Sequence, residues 1–124
     1  MKTVETKNAP TPIGPYSQAT VAGNFVFVSG QVGKNAVSGA MITDNIKNEA
    51  HQVMENVKAV LEAAGSSLGK VVKTTIFLSN MDDFAQVNEV YGSFFTGNYP
   101  ARETVQVSRL PLNANVEISV IAIV

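Results

Sequence analysis

The chain has no cysteine and a single histidine, His51, among its 124 residues. Without cysteine, thiol catalysis, disulfides and thiolate metal sites are excluded. One histidine excludes a multi-histidine metal centre. Neither charge sign dominates: nine Lys and Arg stand against ten Asp and Glu, for a net charge of −1. The cations are scattered, with no basic run, which argues against a dedicated nucleic-acid binder. No apolar run reaches the length of about 18 residues that a membrane-spanning helix needs. The opening stretch, Met1 to Pro12, has no apolar core of the kind that marks a signal peptide. A cytoplasmic chain with no membrane partner is the expectation.

Hydrophobic residues make up 45% of the chain, enough to supply a core. At this length roughly two-thirds of the unfolded surface is expected to be buried. Residues 1–124 therefore read as a single domain, with no internal repeat. Pro10, Pro12, Gly14 and Pro15 make the first segment an ordered arm or loop. Tyr16–Val21 and Phe25–Ser29 flank a Gly23-Asn24 hairpin signal. Gly33–Ala40 reads as a loop. A helix follows from about Asn45 to Ala64, with Asp44 as N-cap and Gly65 after its end. Its apolar stripe is Ile46, Ala50, Val53, Val57, Leu61 and Ala64, with Glu49, Glu55, Lys58 and Glu62 away from the centre. Val71–Leu78 is a strand, with Val72, Ile76 and Leu78 on one face and Val71 and Phe77 on the other. A second helix runs from Asp82 to about Phe95, capped by Asn80 and burying Phe84, Val87, Tyr91 and Phe94. Arg102–Val107 and Val116–Val124 complete the set as strands.

The order β-β-α-β-α-β-β reads as α+β, with two helices on one face of a sheet. Two helices cover one side only, yet the strands at 71–78 and 116–124 are apolar on both. The second face is expected to be buried in a homo-oligomer.

Function is sought among polar groups on strand and helix faces that should be apolar, because burying them without a partner is costly. Arg102 begins a strand and shares a face with Thr104 and Gln106. It is either an edge arginine paired with Glu103 or a clamp for an anionic group, since a guanidinium grips a carboxylate with two parallel hydrogen bonds. Glu117 interrupts the most apolar stretch and shares a face with Ser119, Ile121 and Ile123. It is either paired with a cation or serves as an acid or base. Asn88 borders the buried stripe of the second helix, and Tyr16 sits in the stiff arm. Other signals fail. Ser29 in Val-Ser-Gly-Gln is not a nucleophile elbow, and His51 is too far off the apolar stripe to serve a serine triad. Gly30-Gln31-Val32-Gly33 is too short for a phosphate-binding loop, and Asp82 and Asp83 diverge on their helix. These patterns do not name a reaction.

The same residues carry a resemblance that runs nearly end to end. The segments are Asn8-Ala9-Pro10, Ile13-Gly14-Pro15-Tyr16-Ser17-Gln18-Ala19, Val28-Ser29-Gly30-Gln31, Asn56 to Gly65, Val72-Lys73-Thr74-Thr75, Asp83 to Asn88, Tyr99-Pro100-Ala101-Arg102, Arg109-Leu110-Pro111 and Val116-Glu117-Ile118. In these the chain resembles the RidA (YjgF-type) family of enamine/imine deaminases. The resemblance implies a chorismate-mutase-like α+β fold of the bacillus type, assembled as a homotrimer with a site in each cleft between subunits. It implies hydrolysis of 2-imino acids and their enamine tautomers, such as 2-aminoacrylate and 2-iminobutanoate, to 2-keto acids and ammonia, without a cofactor. Such intermediates leave pyridoxal-phosphate dehydratases, which gives the chain a functional link to those enzymes. Arg102 matches the arginine that holds the substrate carboxylate and Glu117 the acid that activates water. Tyr16, Ser29, Gly30 and Asn88 match residues lining the cleft. Many members have cysteine where this chain has Thr104, a departure that bears on substrate range. A ribonuclease or translation inhibitor, and a 2-keto acid sensor without turnover, are the other readings.

Overall fold

A computed structural model describes residues 1–124. The strands are β1 (Lys2–Val4), β2 (Ala19–Ala22), β3 (Phe25–Gln31), β4 (Val71–Leu78), β5 (Ala101–Gln106) and β6 (Val116–Ile123), and the helices are α1 (Ile46–Ala63) and α2 (Phe84–Ser93). They form one sheet in the order β1-β2-β3-β6-β4-β5. Only the β4–β5 pair is parallel, joined by the α2 crossover. The hairpin falls where expected: Ala22 pairs with Phe25 across the Gly23-Asn24 turn, and Gly23 takes the positive φ of 60° that glycine tolerates. Tyr16, expected in the first hairpin strand, lies before it in the arm. The arm itself holds a further strand, β1, on the sheet edge.

Helix α1 starts one residue later than the sequence suggests. Asn45, not Asp44, is the N-cap, its amide oxygen accepting from the Asn48 N–H at 2.9 Å. Asp44 instead accepts from the Asn48 side chain. At the other end Gly65 N–H donates to Glu62 and Ser66 N–H to Leu61, a Schellman closure that needs the left-handed Gly65. The apolar stripe is as predicted: Ala50, Val53, Val57 and Leu61 are buried, with Ile46 and Ala64 packed at its margin. Both helices cover one face of the sheet, where Val26, Val28, Ile76, Leu78, Val116, Ile118, Val120 and Ala122 meet them. Truncating Leu61 to alanine would cost about 2–5 kcal/mol.

Three expectations change on this face. Glu49 is fully buried rather than on the outer side of α1. A bulge at Val72 puts Val71 on the core side and Val72 on the other, because Val71 pairs with Ala122 while Lys73 pairs with Ile121. Helix α2 begins at Phe84, after a short 3₁₀ turn over Met81–Asp83, and Phe84 lies exposed at its first turn.

The second face of the sheet carries no helix. Phe25, Phe27, Val72, Val105 and Ile123 are exposed there, at 46% and 43% for the two phenylalanines. One polar group interrupts it: Lys73 Nζ lies 2.9 Å from Glu103, whose carboxylate also accepts from the Thr75 hydroxyl.

Candidate functional site

Glu117 points out of β6 on the helix-free side, since its neighbours Val116 and Ile118 are buried on the helix side. Beside it β3 carries a bulge: Val28 pairs with Val120 and Gln31 with Ile118, so β3 spends one residue more than β6. The bulge holds Gly30, where a Cβ would lie 2.6 Å from Glu117 Oε1 and 2.7 Å from its Cδ. The missing side chain is what lets the carboxylate lie flat against β3. Glu117 opens into a hollow walled by Ile13, Tyr16, Gly30, Gln31, Lys34 and Leu112. No donor in the chain reaches its carboxylate, and burial raises its pKa above the ordinary glutamate value. The group is thus half-desolvated, without a counter-ion, and aimed into a cavity.

The arm that brings Tyr16 to this hollow is fastened by Gln18. Its buried amide accepts from Thr6 N–H at 2.7 Å and donates to the carbonyls of Thr6, Ala9 and Pro10. The Ser29 hydroxyl donates to Ser17 O at 2.6 Å. Ser29 therefore braces the arm and does not line the hollow. Gln18 occurs in a Tyr-Ser-Gln-Ala string that names no partner, and its role is visible only once the loop closes on it.

Arg102 points to the helix side from β5. It makes no salt bridge with Glu103, which is held by Lys73. Its guanidinium lies over the rings of Tyr91 and Phe84, at 5.1 and 5.7 Å. A second hollow opens around it, walled by Asn88, Tyr91, Gly92, Tyr99 and Pro100. The Asn88 amide has no partner in the chain, while Tyr91 donates its hydroxyl to Thr74 at 2.9 Å. Burial raises the Tyr91 pKa, against the opposing pull of the Thr74 hydrogen bond and the Arg102 charge. Thr104, two residues along the same face of β5, has the one buried side-chain oxygen without a hydrogen bond.

The structure thus brings Tyr16, Gly30 and Glu117 together, and separately Asn88 and Arg102. It does not join the two groups within one chain. No group of three or more His, Asp and Glu side chains is arranged to hold a metal ion, and no helix is long and apolar enough to cross a membrane.

Comparison with known proteins agrees over the whole length. Residues 6–124 match the model of a family described as endoribonuclease L-PSP. A RutC family protein of Pyrococcus horikoshii is 52% identical over 94% of this chain and 93% of its own. A 2-iminobutanoate/2-iminopropanoate deaminase of Dermatophagoides farinae is 48% identical over 98% of this chain and 94% of its own. Among solved structures, Escherichia coli TdcF with bound serine superimposes with a TM-score of 0.96 at 42% identity, covering 100% of this chain and 99% of that one. The fold is the chorismate-mutase-like α+β architecture expected of such relatives, and the chain belongs to the RidA (YjgF-type) family.

Proposed function

We propose that the chain is a cofactor-free deaminase that hydrolyses 2-imino acids and their enamine tautomers to 2-keto acids and ammonia. The observation that carries this reading is a pair of complementary unpaired groups: an arginine without a carboxylate partner and a desolvated carboxylate without a cation. A 2-imino acid offers what each lacks, a carboxylate for Arg102 and an electrophilic carbon for water held by Glu117. The name of the Dermatophagoides relative supports the same chemistry, and the serine in TdcF supports a small carboxylate ligand.

In this mechanism Arg102 grips the carboxylate and so fixes the imine carbon. Glu117 takes a proton from water as the oxygen bonds to that carbon. Glu117 gives that proton to the imine nitrogen, which has taken the C=N π pair, and a carbinolamine results. The Glu117 carboxylate then carries the hydroxyl proton to the same nitrogen, the C–N bond breaks as the carbonyl forms, and ammonia leaves behind a keto acid. General-base assistance of this type contributes typically 10²–10⁴-fold. Tyr16, Gly30 and Asn88 line the site, and Thr104, whose unpaired hydroxyl is buried, borders it behind Arg102. Ser29 contributes by holding the arm that carries Tyr16. Chemistry that needs a thiol at position 104 is lost.

Two further parts belong to the proposal. Residues 1–124 act as one RidA-like domain, and three copies form a ring through the open sheet face. Arg102 of one copy then meets Glu117 of its neighbour. The exposed phenylalanines and the separation of the two hollows support this. The setting is cytoplasmic and linked to pyridoxal-phosphate dehydratases, because a short-lived imine must be met where it is released. A ribonuclease reading would need a basic face, and the cations are scattered.

The test is a coupled assay in which a serine or threonine dehydratase generates 2-aminoacrylate and the enamine absorbance is followed. The proposal expects faster decay with this protein, and a loss of about 10²-fold in Arg102→Ala. Decay no faster than in buffer would overturn it.

A further inference from the structure

Helix α1 carries two polar side chains on its buried face, seven residues and so two turns apart. Glu49 is 0% exposed and Asn56 is 1% exposed. Neither belongs to the apolar stripe, and neither reaches the solvent. Asn56 grips lining residues of the Glu117 hollow, and Glu49 grips Asn115, which lies between its lining residues Leu112 and Glu117. The Asn56 amide donates to the carbonyls of Val32 and Lys34, at 3.0 and 2.9 Å, on the β3 side. The Glu49 carboxylate accepts from the backbone N–H of Asn115 at 2.7 Å and from the Asn115 amide at 2.8 Å, on the β6 side.

Asn115 lies two residues before Glu117 and two after Asn113, the end of a turn that is costly to hold. Leu112 and Asn113 both have left-handed backbones, with φ of 59° and 52°. A leucine in that conformation persists only where its surroundings hold it there. Asn115 is the fixed point that ends this turn, held further by Ser79, whose N–H donates to the Asn115 carbonyl at 3.0 Å. Just past β3, Gly33 leaves room for Glu49: a Cβ there would lie 2.8 Å from Glu49 Cγ. The Glu49 side chain therefore lies between the segment that leaves β3 and the segment that enters β6.

We infer that Glu49 is a positioning residue for Glu117: from the helix side it locks Asn115, and with it the Leu112–Glu117 segment, at the distance from β3 that the site requires. This rests on the deaminase reading for its kinetic consequence, and on geometry alone for its structural one. A carboxylate suits the task because Asn115 presents two donors and needs two acceptor oxygens. Glutamine has only one oxygen and turns an NH₂ against the other donor. The arrangement can be reversed. With Glu49→Gln and Asn115→Asp together, the glutamine oxygen accepts from the backbone N–H and its NH₂ donates to the aspartate, so both bonds return with opposite polarity.

The test compares the wild type, Glu49→Gln, Asn115→Asp and the double variant, all below their melting temperatures. Each single variant should lose about 10-fold in kcat per folded protein, with KM within about twofold because Arg102 is untouched. Amide exchange over residues 111–117 should quicken. The double variant should recover both kcat and slow exchange. Wild-type kcat in Glu49→Gln with only a lower melting temperature would overturn the inference, assigning Glu49 to stability alone. Failure of the double variant to recover would overturn it too, because the charge and not the grip would then matter. Should the wild type show no turnover, the deaminase reading falls, and exchange over residues 111–117 still decides the role of Glu49.

Discussion

Arg102 and Glu117 lie on opposite faces of one sheet. Arg102 pairs with Thr74 across β5 and β4, and Thr74 is buried beneath Tyr91 on the helix side. Glu117 pairs with Phe77 on β4, on the side without helices. Strand β4 separates them, which places their backbones about 10 Å apart laterally before the difference in face is counted. No rotamer change brings the two heads to one small substrate. A site that uses both has to draw them from two copies, and in the proposed trimer the exposed apolar sheet face is where copies meet.

That surface makes a first prediction. Phe27→Asp places a charge on the helix-free side of β3, where the phenylalanine touches no core helix. Gel filtration should show the wild type as a trimer and the variant as a monomer with unchanged circular dichroism. Turnover should fall by at least about 10²-fold, since each monomer holds only half of each site. An active monomer would show that one chain suffices.

A second prediction concerns Glu117 and pH. Burial raises its folded-state pKa, so the folded state holds the proton more tightly than the unfolded chain does. The stability that follows is complete below the unfolded value and is lost as pH rises through the folded one. At neutral pH the ionised, half-buried carboxylate therefore burdens the fold. Glu117→Gln should melt higher than the wild type near pH 7, and the gap should close near pH 4. The same variant should lose about 10²–10⁴-fold in kcat. A variant that melts lower at neutral pH would mean that the carboxylate has a stabilising partner.

Gly30 gives a third. A Cβ there meets the Glu117 carboxyl group, the mobile end of a side chain, rather than backbone. Gly30→Ala should thus fold normally while swinging the carboxylate out of place, with a loss of about 10-fold or more in kcat. Unchanged kcat would mean that the water does not depend on where Glu117 sits.

Much of this was legible from residue patterns because it is local. The Gly-Asn turn, the α1 stripe and the bounds of β4 each depend on neighbours a few residues apart. The two-sided apolar strands pointed to an uncovered face, and the structure leaves Phe25 and Phe27 exposed on it. What was missed is long-range. Glu49 reads as a surface charge until Asn115, 66 residues away, is placed beside it. Strand β1 is short and polar, and is held by pairing with β2 rather than by its own pattern. The exchange of Val71 and Val72 follows from a bulge that no alternation rule foresees. Arg102 stands out on a short polar stripe and Glu117 within an apolar strand, but their faces relative to each other depend on a register that only the assembled sheet defines.

The most direct measurement mixes two defects. Arg102→Ala and Glu117→Gln chains, each impaired alone, are co-expressed in equal amounts and purified as mixed trimers. If every site takes Arg102 from one copy and Glu117 from the next, about one-quarter of the sites in random trimers are intact. Deaminase activity should then return to about one-quarter of the wild type, far above either variant alone. Activity that stays at the mean of the two variants would contradict the shared site.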